Sequence, residues 1–399
     1  MKQYGRIINS IFDNDLYKFT QQQAVTQMFP KTQVRYSFIL RSKVTFPIGF
    51  DVELRRQLSL MADLRVTPTE KEYLQDTCSS YMKPTYIDFL SGYCYDQSEV
   101  GIIQKGGDLE ISIGGYWYKT ILWEVTLMAL ISELYFKMTG QEPWDKNTRL
   151  KNNAEKHQKL NISGAKTADF GTRRRFSYEV HDELVGSMNA YAASNFFQGT
   201  SNVHLAMKHG VKPIGTMAHE WVMVMACIYG YRMANEMAMK HWVDVYKGNL
   251  GIILTDTFTT EEFLHNFTMK YAKLYDGPRH DSKDPYVWGE NFIKHYRKLN
   301  INPLSKTGVY SDGLNTDKAI AINEYFKGKF GSSFGIGTHF TNDVGVTPLN
   351  MVIKVTQAFV NERWYDCVKL SDDPIKHTGN PEEIKLCKDT LKISVVESK

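Results

Sequence analysis

Along this chain the spacing of apolar and polar positions changes character partway. In the first third, strand-like stretches such as "QVRYSFILR" and "LEISIGGYWYKTILWEV" run into turns, and "TPTEKEYLQDT" looks like a capped helix start. The most apolar stretch, "TILWEVTLMALISELYF", carries Glu124 and Glu133 inside it. That is too charged for a membrane span, and it predicts a core helix.

From about Ala168 a different pattern takes over. Short apolar runs recur, each ending abruptly in Gly, Thr, Ser or Asp: ADFGTRRRF, FFQGTSN, VKPIGTMAHE, LGIILTDTF, YDGPRHDS, KTGVYSDGL and FGIGTHFTND. PLNMVIKV is a candidate for one more strand. Strands whose C-terminal ends carry the unusual polar residues predict a (β/α) barrel with those ends converging on one pocket. Uneven spacing, and the short link from GTSN to IGTMAHE, predict an irregular or incomplete barrel.

Composition narrows this picture only modestly. The chain has 399 residues, 42% hydrophobic and 23% charged, as expected for a globular protein of two or three domains. A net charge of +4 is too mild to argue for nucleic acid. Five scattered cysteines without a Cys-x-x-Cys pair argue against a disulfide framework or zinc site and for a reducing compartment. With no apolar h-region at the N-terminus, a cytoplasmic location is expected.

Each strand-end cluster offers chemistry beside a plainer alternative. In "FGIGTHFTND", Gly335, Gly337 and Thr338 could cradle a phosphate through backbone N–H groups and a hydroxyl, or make a tight turn and nothing more. Gly313 in "YSDGLN" strengthens the phosphate reading, because late barrel strands often hold one. "DFGTRRRFS" presents Arg173, Arg174 and Arg175, of which at most two can face one ligand, preceded by Phe170, which could stack on a flat ring or fill core. "GPRHDSKDP" brings Arg279, Asp281 and Asp284, suited to sugar hydroxyls or to magnesium carrying pyrophosphate, or to a surface ion-pair turn. Asp256 in "LTDTF" is a further rim carboxylate. His219, in "GTMAHEW", opens an apolar helix, either as a reactive group or as a satisfied core histidine.

These motifs resemble the nicotinate phosphoribosyltransferase family. "DNDLYKFTQQQAV", "ILWEVTLMALISE", "FGTRRRFS", "GTSN", "GVKPIGTMAHEWVM", "LTDTF", "RHDSKDP", "YSDGLN", "FGIGT" and "PLNMVIKV" follow the family's order over nearly the whole chain. The resemblance implies the type II phosphoribosyltransferase fold. An N-terminal open-faced α/β sandwich (1–135, completed by 350–399) would pack on an irregular α/β barrel (136–349). It implies ATP-coupled joining of nicotinate to phosphoribosyl pyrophosphate in NAD salvage, with His219 transiently phosphorylated. Tyr17 and Phe170 should sandwich the pyridine ring, Tyr17 from this subunit or from a homodimer partner, with Arg173, Thr200 and Ser201 nearby. Arg279 and Asp281 should hold the ribose and pyrophosphate, Gly313, Gly335, Gly337 and Thr338 the 5′-phosphate, and magnesium should arrive with the pyrophosphate. Asp256 matches a rim carboxylate of unassigned duty.

Related nicotinamide enzymes place an aspartate where this chain has Ser201, so the acid is the expected substrate, a carboxylate there repelling nicotinate. Lys283 stands where the family usually has glycine, which strains the turn if that position needs a positive φ. The alternatives are a nicotinamide phosphoribosyltransferase and a non-catalytic metabolite-binding barrel. No nucleic-acid or membrane partner is expected.

Overall fold

The computed structural model describes residues 3–190 and 196–393 and is built around two sheets. The first is antiparallel and combines β1 (Gln33–Leu40), β2 (Val100–Lys105) and β3 (Asp108–Tyr116) with β10 (Met351–Val360) and β11 (Arg363–Asp366), in the order β11-β10-β1-β3-β2. β1 is central: Gln33 pairs with Phe359 on one side and with Tyr116 on the other. PLNMVIKV therefore supplies a strand, but to this sheet and not to the barrel. Eight residues of antiparallel register with β1 decide the matter, and an isolated apolar run cannot reveal its partner.

The second sheet is parallel. It contains β4 (Thr167–Asp169), β5 (Phe197–Thr200), β6 (Ile252–Leu254), β7 (Gly277–His280), β8 (Thr307–Tyr310) and β9 (Gly331–Ile336), ordered β5-β4-β9-β8-β7-β6. Among the described residues, no strand closes the ring between β5 and β6. Pro213 makes a single bridge to Thr200, and Thr216 Oγ1 donates to the Ile252 carbonyl at 2.8 Å. VKPIGTMAHE thus contributes an extended segment instead of a strand, as a proline without an N–H would dictate. The barrel is irregular, as its strand spacing predicted.

"YWYKTILWEV" departs from the strand expectation, because β3 stops at Tyr116 and helices Trp117–Thr120 and Trp123–Thr139 follow. Continuous apolar runs do not distinguish buried strand from buried helix. The Trp123–Thr139 helix is buried along almost its whole length, as a core helix should be. Its charged residues are paired: Glu133 binds Lys137 and accepts the Tyr178 N–H at 2.8 Å, and Glu124 binds Lys18. Thr67 and Glu70 form a reciprocal capping box for helix Pro68–Thr77. No helix among the described residues is long and apolar enough to cross a membrane.

Two helices join the sheets. Leu16–Met28 starts from a bridge between Asp15 and Asn202, just past β5. His219–Tyr229 packs on β10. The C-terminal ends of the parallel strands therefore face the antiparallel sheet across a cleft.

Candidate active site

Three adjoining chambers occupy this cleft, all bordered by Arg173 and Arg279. The largest, about 370 Å³, has Gly313, Gly335, Gly337 and Thr338 on the parallel-sheet side. A second, about 90 Å³, is mostly apolar, between Tyr17, Phe170, Ile214 and Val309, with Asp15 and Ser201 at its edge. The third, about 50 Å³, reaches from Tyr17 to His219. Tyr17 lines two of these chambers from its own chain.

Local backbone chemistry explains the rim. Gly313 adopts φ 54°, a left-handed turn that glycine makes without steric cost. Gly335 has a different job: a Cβ there would lie 2.2 Å from the Phe170 ring. Its missing side chain seats the aromatic ring, so the two motifs are one packing unit.

His219 starts its helix with its ring buried in a cluster of charges. Nε2 lies 2.9 Å from Asp281 Oδ2, 3.7 Å from Asp256 Oδ1 and 2.7 Å from Lys369 Nζ; Nδ1 is 3.0 Å from Thr257 Oγ1. Burial and the Lys369 ammonium push the imidazole down to about 4, against the pull of the two aspartates, so the ring is neutral at physiological pH. Burial works to raise the Asp281 carboxyl, yet its bond to His219 and the nearby Lys369 and Arg279 hold it well below the usual range.

The three arginines have separate fates. Arg173 faces all three chambers, with Nη1 3.5 Å from Glu124. Arg174 lines the large chamber and donates to the Met351 carbonyl. Arg175 is fully buried in a two-pronged pair with Asp13 at 2.6 and 2.7 Å. It is a structural residue.

Ser201 already has a partner in the structure. Its hydroxyl donates to Asp15 Oδ1 at 2.7 Å, so the apolar chamber does contain a carboxylate, supplied by a different residue. Burial raises the Asp15 carboxyl above its ordinary value. Thr200 is buried behind the rim, donating to Asp169 at 2.6 Å, and is not brought to the walls of these chambers. Asp256 is also buried, accepting from Ser282 and Ser371 beside the His219 cluster. Arg279 donates to Ser311 and to the Met217 carbonyl, which aims it across the cleft. Asp284 caps helix Pro285–Lys298 and takes no part in the chambers. Lys283 sits at φ 74°, the left-handed conformation a glycine would hold without strain.

Sequence reasoning missed four further cations, Arg41, Lys354, Lys369 and Lys376, all of which line the large chamber. The available signal was a lone lysine within an apolar run, in "MVIKV" and "CVKL". Burial and Lys369 push the Lys354 ammonium down to about 7, with Glu124 opposing. Divalent cations also have a fitting donor set. The buried Asp256 Oδ1 has no hydrogen-bond partner, and His219, Asp256 and Asp281 offer ligand atoms within 4.8 Å of one another.

Residues 165–395 match the model of the nicotinate phosphoribosyltransferase family, and residues 12–132 match that of its N-terminal domain. The nicotinate phosphoribosyltransferase of Chromohalobacter salexigens is 50% identical over 97% of this chain and 99% of its own length. That of Desulforapulum autotrophicum is 49% identical over 96% and 98%. Among solved structures, the Porphyromonas gingivalis nicotinate phosphoribosyltransferase superposes with a TM-score of 0.94 at 43% identity, covering 97% of this chain and 100% of that one. The Vibrio cholerae structure of the same name gives 0.90 at 32%, covering 98% and 96%. The chain therefore belongs to the nicotinate phosphoribosyltransferase family.

Proposed function

We propose that this enzyme joins nicotinate to phosphoribosyl pyrophosphate, releasing pyrophosphate, and couples the reaction to ATP through a phosphohistidine at His219. One observation carries the reading: an apolar chamber lined by Tyr17 and Phe170 adjoins a larger polar chamber, and Arg173 and Arg279 border both. The first suits a pyridine ring, and the second suits a sugar carrying phosphates.

The pyridine nitrogen has a free lone pair at neutral pH, so attack on the anomeric carbon needs no general base. Orientation between Tyr17 and Phe170 supplies much of the rate. Asp281 and Asp256 favour positive charge developing on the ribose, and Arg279, Lys354, Lys369 and Lys376 hold the departing pyrophosphate. Asp256 and Asp281 would hold magnesium, which supplies charge neutralisation to the leaving group. His219, neutral by burial, keeps an unprotonated ring nitrogen able to accept a phosphoryl group. The five free cysteines accord with a reducing, cytoplasmic setting.

Product analysis with nicotinate, nicotinamide and quinolinate, each with and without ATP, tests the proposal. Nicotinate mononucleotide should dominate, with ATP stimulating it. Preferential use of nicotinamide would replace the reading with its nearest alternative, and no pyrophosphate release from any of the three would leave a non-catalytic barrel.

A further inference from the structure

Lys18 is wholly buried and takes no part in the chemistry just described. Its ammonium lies 2.5 Å from Glu124 Oε2 and also hydrogen-bonds Glu220 Oε2. Glu220 is the second residue of the His219 helix, and its other oxygen accepts from Tyr36 at 2.9 Å and from Trp117 at 2.7 Å. The other oxygen of Glu124 lies 3.5 Å from Arg173. The same ammonium is 5.4 Å from the centre of the Tyr17 ring. Burial disfavours the charged amine, yet the two carboxylates outweigh it and hold Lys18 firmly protonated.

A buried ion pair is a poor way to gain stability, since well-packed apolar side chains do as well or better. This one touches both functional ends of the cleft. Lys18, Arg173, Glu124 and Glu220 form a charge-balanced set in which Glu124 is shared by the two cations. While Lys18 engages Glu124, the Arg173 guanidinium is left available to the pyridine-side chamber. Without Lys18, Glu124 would close on Arg173 and compete with a bound carboxylate for it.

We propose that Lys18 is a positioning residue: by holding Glu124 and Glu220 together it sets Arg173 and Tyr17 for the nicotinate carboxylate and ring, and ties them to the start of the His219 helix. The inference rests on the pyridine reading of the apolar chamber.

Steady-state kinetics of the folded enzyme test it, with nicotinate and phosphoribosyl pyrophosphate varied in turn. Lys18→Met should raise KM for nicotinate at least about tenfold, roughly 1.4 kcal/mol, and leave KM for phosphoribosyl pyrophosphate within about twofold. Adding Glu124→Gln to Lys18→Met should bring the nicotinate KM back toward wild type, because the competing charge is gone. Glu220→Gln keeps an acceptor for Tyr36 and Trp117 while turning Lys18 wholly to Glu124. It should move the nicotinate KM the other way, downward by about threefold, and it remains measurable if Lys18→Met does not fold. A purely structural role would lower the melting temperature and the active fraction without these KM shifts. An unchanged nicotinate KM, an equal rise in both KM values, or no recovery in the double variant overturns the proposal. Arg173→Lys separates the two levels of inference. If it leaves the nicotinate KM unchanged, the pyridine reading itself fails; if it raises that KM while Lys18→Met does not, only the Lys18 assignment falls.

Discussion

The two sides of the cleft supply different kinds of group. On the parallel-sheet side, short strands end in glycine turns, hydroxyls and the carboxylate Asp281, with Asp256 buried behind it and Arg173 and Arg279 between them. Across from them, Arg41 follows β1 and Lys354 lies in β10, while Lys369 and Lys376 come from the segment after β11, which folds back onto Asp281 and Asp312. The rim shapes and orients; Arg41, Lys354 and the two lysines of the C-terminal segment add their positive charge to that of Arg173, Arg174 and Arg279. A ligand with several phosphates is complemented only when both sheets are in place, because like charges crowded onto one rim would repel and shift their own pKa values. Lys354, lowered first by burial and then by Lys369, shows part of that cost already.

Breaking the junction of the walls should have the largest effect. His219→Asn should lower ATP hydrolysis and ATP stimulation by at least ~1000-fold while slow, ATP-independent nucleotide synthesis persists. Labelled ATP should leave an acid-labile, base-stable phosphate on the wild type and none on the variant. Simultaneous loss of both activities would make His219 essential to bond formation instead.

Damage to the parallel-sheet wall alone comes next. Gly337→Val should raise KM for phosphoribosyl pyrophosphate about 100-fold, near 2.7 kcal/mol, with nicotinate binding little changed. A Cβ at this position already lies 3.2 Å from the Phe170 carbonyl, so the added methyls must project toward the ligand or displace the turn. Ser201→Asp should cut nicotinate turnover by roughly tenfold, by placing a second carboxylate against Asp15. Competition between nicotinate and nicotinamide would reveal whether the amide gains at the acid's expense.

The cationic wall should respond to pH. Lys354 is charged below about 7 and neutral above it in the free enzyme. kcat/KM for phosphoribosyl pyrophosphate should therefore fall as pH rises through 7, and Lys354→Met should flatten that limb while lowering the plateau about tenfold. A limb unchanged in the variant would assign the titration to another group. Smallest of all, Lys283→Gly should stabilise the enzyme by about 0.5–1 kcal/mol by relieving the positive φ, with activity nearly unchanged. Thermal unfolding would show it, and a lowered melting temperature would mean the lysine side chain contributes more than its backbone costs.

The same contrast governs what could be read in advance. Rim residues are legible because strand, turn and functional group lie within a few positions, as in "FGIGT" and "RHDSKDP". Lys354 sits in a strand whose partner, β1, lies some 300 positions earlier, and Lys369 reaches His219 across 150. The partner of Ser201 is hidden from the sequence for the same reason, since Asp15 is brought to it by a single bridge between distant segments.

Sequence by itself determined the barrel-like alternation, the core helix with its glutamates, the positions of the glycine turns and the family, because each rests on local periodicity or contiguous motifs. Tertiary structure alone decided the register of the last strand on β1, why Gly335 must lack a side chain, how His219 is kept neutral, and where the cations gather. Those depend on through-space distances between side chains, and burial in a shared low-dielectric cleft sets charges that no linear spacing specifies.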